Sequence, residues 1–173
     1  AVQRAHMLYA SCTTPVREMR MRPLAEKRKR AEDVVKADTT LSQAARLGLP
    51  TTEKVVDVAR GLNKLTRGAP VEALNHFMQA TFGASCRVLG CESIAGHVGQ
   101  GMAHLAAGAY EQGLSAFRSA LAKHPGCPPL VRVGLGVCAF RLGKYILARR
   151  AFVRALTLDP ACVPAMAAMA TLE

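Results

Sequence analysis

The chain has 173 residues, half of them apolar, which suffices for one globular core or a short repeat array. Its net charge is +11, with ten basic against five acidic residues in 1–50 and thirteen against seven in 51–173, so the excess is spread and names no partner by itself. No apolar run approaches the ~20 residues needed to cross a bilayer, which excludes a spanning helix, and no secretory leader pattern opens the chain.

The first residue is not Met, and VPAMAAMATLE breaks off inside an apolar stretch. A piece of a longer protein is therefore expected. The six cysteines (Cys12, Cys86, Cys91, Cys127, Cys138 and Cys162) form no CxxC pair. Free thiols in a reducing compartment are expected rather than disulfides or a zinc site.

From the amino end, AEKRKRAED is a charged insertion containing the run Lys27, Arg28, Lys29, Arg30. It fits a nuclear import signal, a phosphate contact or a solvated insertion with no reader. Residues 26–48 read as a degenerate second helix. Ala45 and Pro50 keep an Ala-to-Pro spacing found downstream, with Ser42 where those copies have Phe.

From residue 54 the pattern sharpens. Gly61, Gly68, Ala73, Phe77 and Ala80 recur as Gly101, Gly108, Gly113, Phe117 and Ala120, and again as Gly136, Gly143, Ala148, Phe152 and Ala155. The second and third copies close with Pro125 and Pro160, thirty-five residues apart; Ser85 stands at that place in the first. CRVLGCES between the first two copies reads as a lengthened loop. The stretches GAYEQGLSAFRSALAKHP and GKYILARRAFVRALTLDP share seven of eighteen positions.

A period near 35 marks stacked supersecondary units. Gly after an apolar helix can take the left-handed turn cheaply, and Pro stops the next helix. Paired antiparallel helices are expected over 54–66 and 69–82, 94–107 and 109–123, and 129–142 and 144–158. CVPAMAAMATLE should begin a further first helix. Phe77, Phe117 and Phe152 should occupy equivalent buried places, with Ala120 and Ala155 where helices touch.

This Gly, Ala-Phe-Ala and Pro order resembles the tetratricopeptide repeat (TPR), a right-handed superhelix of antiparallel helix pairs. The expected fold is all-α. Residues 1–53 form a degenerate repeat with a basic insertion. Residues 54–173 form an array with repeats at about 54–87, 94–127 and 129–162. RNA-binding helical repeats share the period, but the endings RALTLDP and SALAKHP have the TPR form.

A narrower resemblance rests on Pro125-Gly126-Cys127-Pro128, on Val131-Arg132-Val133-Gly134-Leu135-Gly136-Val137-Cys138, and on Ala148-Arg149-Arg150-Ala151-Phe152-Val153-Arg154-Ala155-Leu156. These resemble the TPR scaffold subunits of the RNA polymerase II-associated factor (PAF) complex, the "Cln three requiring nine" family. Arg132, at a place where most TPRs have an aromatic, is then a family trait. The Ala- and Arg-rich helices depart from the family's Tyr- and Lys-rich ones. The resemblance implies a nuclear, non-catalytic scaffold that supports transcription elongation and co-transcriptional histone modification. It implies as partners a segment of the namesake subunit, a parafibromin-like subunit and, indirectly, RNA polymerase II. No cofactor and no membrane are implied, and nucleic acid is not expected on this segment.

In the TPR frame four positions of each first helix face the concave surface. They read Val55, Val58, Leu62, Leu65, then Ala95, Val98, Met102, Leu105, then Leu130, Val133, Val137, Phe140. All are apolar, so the polar clamp of chaperone-tail binders is absent. The strip is either a partner groove or internal packing of the superhelix. Arg149, Arg150 and Arg154 lie on an outward-facing second helix, as a solvated face or a contact for acidic protein or nucleic acid. His97 and His104, two turns apart, lack a third metal ligand. Gly96-x-x-Gly99-x-Gly101 follows no strand and is no nucleotide fingerprint. No catalytic set is legible. From another functional class, the chain would be the adaptor arm of a larger enzyme such as a glycosyltransferase; a generic co-chaperone-like adaptor is a further reading.

Overall fold

The computed structural model describes residues 33, 35–37, 39–40, 42–43, 50–83 and 93–172. Lys27–Arg30, Ala45, Ser85 and the loop around CRVLGCES lie outside them, except for Ser93 at its end. Of the expected degenerate helix over 26–48, the described residues between 33 and 43 are helical.

Seven helices follow: α1 Pro50–Thr66, α2 Pro70–Phe82, α3 Ile94–Ala107, α4 Tyr110–Lys123, α5 Pro129–Arg141, α6 Tyr145–Leu158 and α7 Val163–Ala170. The described residues contain no strand. Pro50, read from sequence as a closing Pro, instead begins α1. Proline costs little there, because the first helical N–H groups have no partner within the helix.

Three turns carry the pairing. Gly68, Gly108 and Gly143 have φ of 78°, 78° and 72°, and no other residue among those described has positive φ. At each turn the residue after Gly donates back to the carbonyl five positions earlier: Ala69 to Lys64 at 3.0 Å, Ala109 to His104 at 2.9 Å, Lys144 to Ala139 at 2.9 Å. The same reversal is built three times, and each first helix folds back on its second.

The helices stack in order, each on the next, and the first helices also pack on one another: α1 on α3, α3 on α5, α5 on α7. Two layers result, with α1, α3, α5 and α7 on one side and α2, α4 and α6 on the other. This is an all-α array of TPR-type helix pairs.

The core is the repeat made physical. Phe77, Phe117 and Phe152 are the largest fully or almost fully buried side chains, at 0%, 2% and 1% exposure. Each ring lies against a glycine of its own first helix: Gly61, Gly101 and Gly136, respectively. Phe77 and Phe117 also meet a glycine of the next first helix, Gly99 and Gly134. The ring fills the space that two absent side chains leave. Ala73, Ala80, Ala120, Ala148 and Ala155 are fully buried beside them, where only a methyl fits between helices.

The triple-glycine stretch of α3 is thereby explained. A Cβ on Gly96 would run into the Thr81 hydroxyl, on Gly99 into the Phe77 ring, and on Gly101 into the Phe117 ring. These are packing glycines, each fitted to a different neighbour. Thr81, fully buried, bonds the Phe77 carbonyl at 2.7 Å and accepts from Gln100 Nε2 at 3.0 Å. That polar tie joins α2 to α3 inside the interface.

Candidate functional site

The apolar strip expected to face a partner divides into three depths. Val55, at 68% exposure, and Ala95 stand in solvent; Leu130, at the same place of the third unit, is half-buried. Val98 and Val133 are buried. Val58, Leu62, Leu65, Met102, Leu105, Val137 and Phe140 are half-buried, each packed against the core on one side. Leu62, Met102 and Val137 therefore mark a line across α1, α3 and α5, one apolar side chain per unit. Side-by-side packing of the first helices brings that line together.

Arg132 has a definite structural role. Its guanidinium forks onto the loop before α5, with Nη1 donating to Cys127 O at 3.1 Å and Nη2 to Pro125 O at 2.7 Å. An aromatic at this place could not hold two carbonyls. The Pro-Gly-Cys-Pro loop and the following Arg are thus one device. Cys127 is buried beneath it, with Sγ 3.8 Å from Ala120 O. Arg132→Lys keeps the charge but cannot span both carbonyls. It is expected to cost about 1 kcal/mol, read as a lower denaturant midpoint.

At the equivalent place in α3, His97 is buried, its ring edge-on to Phe82 with centroids 5.8 Å apart. His104 is half-buried. Burial pushes both imidazoles below their ordinary 6.5. As pH falls through 6.5 the unfolded chain takes up protons that the folded one resists. The stability they contribute is complete above that value and is lost below it. Melting temperature should therefore drop from pH about 7.5 to about 5.5, and His97→Leu should flatten the drop. An equal drop in both proteins would refute the assignment.

Among the described residues no three His, Cys, Asp or Glu side chains group as a metal site. Cys127, Cys138 and Cys162 are buried and unbridged. Burial raises the Cys138 thiol to about 11, so it carries no thiolate near neutral pH. No described helix is long and apolar enough to cross a membrane.

Arg149, Arg150 and Arg154 are exposed on α6. Sequence reasoning overlooked their setting: Tyr145, Ile146 and Val153 on the same helix are exposed too. It also assigned no role to Gly99 and Gly134, although their 35-residue separation was there to be read.

No known family model matches the chain. Over 146 residues the chain is 29% identical to the protein CTR9 homolog of Arabidopsis thaliana. The match covers 84% of this chain and 13% of that protein, so the chain spans only a small part of its relative's length. The chain is a TPR-like helical array similar to one stretch of a CTR9 protein.

Proposed function

We propose that this chain is a scaffold segment of a PAF-type complex, which holds other subunits through its first-helix surface and carries out no chemistry itself. The observation that carries the reading is the similarity to a CTR9 protein along 84% of the chain. CTR9 abbreviates the "Cln three requiring nine" family named on the motifs above. The Arg132 clamp supports it, because two of the three motifs that prompted the resemblance meet in one structural unit. On this reading the partners are a segment of the namesake subunit and a parafibromin-like subunit. The location is the nucleus, with Lys27–Arg30 as the import signal. The roles in elongation and histone modification belong to the whole assembly. The repeat array then begins with α1 at Pro50, four residues before the boundary expected at 54, with a degenerate repeat before it.

The half-buried residues Met102, Val137 and Phe140 are the proposed contact. Apolar surface left in water costs roughly 25 cal/mol per Å², and a bound segment would remove it. A charge placed there is costly to bury without a counter-charge. Val137→Glu with Phe140→Glu in the full-length protein should abolish co-purification of the other subunits. Ser115→Glu with Arg118→Glu, on exposed positions of α4, should not. Val55→Glu with Ala95→Glu charges the exposed end of the strip without touching the core, and should weaken capture several-fold. Groove variants with intact helical spectra that keep every partner would sink the reading.

A further inference from the structure

We propose that the outer face of α6 is a second docking surface, and that its occupant is an acidic amphipathic segment of another polypeptide. The stripe lies on α6 and not on the first helices, although Tyr145 at its start meets the Phe140 ring at 5.7 Å between centroids; variants at Ile146, Arg150, Val153 and Arg154 therefore test it apart from the first-helix strip. Ile146 is 75% exposed, Tyr145 58% and Val153 44%. Arg149, Arg150 and Arg154 lie exposed among them. Ile146, Arg150 and Val153 follow at four- and three-residue steps, so they share one stripe of the helix. At the stripe's amino end is an open depression of about 440 Å³ lined by Gly143, Lys144, Tyr145, Ile146, Leu147 and Arg150. It offers room for an apolar side chain between two cations.

The repeat supplies an internal comparison. At the places of Ile146, Arg150, Val153 and Arg154, helix α4 carries Glu111, Ser115, Arg118 and Ser119. Helix α2 carries Val71, Asn75, Met78 and Gln79, which is apolar without cations. The scaffold therefore does not require α6's combination. No acidic residue occurs in α6, and none of its three arginines is ion-paired among the described residues.

The pairing of properties selects the occupant. Phosphates would satisfy the arginines but leave Ile146 and Val153 in water. An apolar partner would cover those two and desolvate unpaired cations at a cost. A segment alternating large apolar residues with Asp or Glu answers both. Its acids would also steer encounter with a chain of net charge +11.

The test uses the 173-residue chain and a labelled peptide of repeating Glu-Leu-Leu-Glu, read by fluorescence anisotropy. Ile146→Ser with Val153→Ser keeps every charge and should weaken binding about tenfold. Arg150→Glu with Arg154→Glu should weaken it at least as much. Arg118→Glu with Lys123→Glu on α4 changes net charge equally and should have little effect. A Glu-Ser-Ser-Glu peptide should bind about tenfold more weakly than the leucine peptide. Equal loss from the α4 and α6 charge variants would reduce the contact to general attraction and overturn the proposal. So would insensitivity to the serine pair. A single-stranded RNA of matched charge that binds more tightly, and ignores the serine pair, would assign the face to nucleic acid instead.

Discussion

Phe117→Ala is expected to cost about 3–5 kcal/mol, roughly a fifth or more of the ~5–15 kcal/mol that holds a typical domain together. The ring is 2% exposed and lies between α3 and α5, against Gly101 and Gly134. Glycine has no side chain to swing into the void. The backbones of two helices would have to move closer, and Ala120, Leu135 and Cys138 in the same cluster resist that. The cavity therefore stays open and its cost is paid in full. Phe82→Ala, at a half-exposed position, is the comparison and should cost much less. Urea unfolding followed by circular dichroism measures both. A Phe117→Ala loss no larger than that of Phe82→Ala would mean the ring is not the keystone of its unit.

Such a result bears on function because the two layers share this joint. The ring sets the distance between α3 and α5, and with it the spacing of Met102 and Val137 along the strip. If the proposed first-helix contact holds, a variant loosened here should weaken it even where no partner touches Phe117.

Most of the fold was legible because repeats let a sequence be compared with itself. One Phe between small residues is weak evidence. The same Phe at 77, 117 and 152, with Gly and Ala in register, leaves few helical packings that satisfy all three. The turns were legible because φ near 78° is cheap only for glycine. The proposed contact surface was harder to read, since sequence gives the type of a residue and its phase on a helix, but not its depth. Val55, Val98 and Met102 all read as groove-facing and are exposed, buried and half-buried respectively. Depth depends on how closely α1, α3 and α5 approach, and glycines on neighbouring helices set that distance. Arg132 was noticed as an oddity, but its task required knowing that the preceding loop turns its carbonyls toward it. The α6 face was legible by its arginines alone, because the exposure of Tyr145, Ile146 and Val153 among them depends on how α6 packs on α5.

Gly134→Ala should be destabilising by about 2 kcal/mol, although alanine is the better helix former by up to ~1 kcal/mol. The added Cβ would lie 2.6 Å from the Phe117 ring, closer than such atoms approach in practice. The ring cannot simply retreat. On its other side a Cβ at Gly101 would sit 2.7 Å away, so the space is filled from α3 to α5. Overpacking of this kind typically costs 1–3 kcal/mol, and little flexibility remains here to relieve it. Phe117→Leu, alone, should cost about 1 kcal/mol for a smaller, reshaped side chain. Combined with Gly134→Ala it should cost less than the two single losses together, because the shorter side chain vacates the volume the new methyl needs. Contacting residues couple by about 0.5–3 kcal/mol in such cycles, and the sign here should be favourable. Gly126→Ala, in the exposed loop, should show no coupling to Phe117→Leu. Strict additivity between Gly134→Ala and Phe117→Leu would mean that the ring and the glycine do not share one space, and the register of α4 against α5 would have to be redrawn.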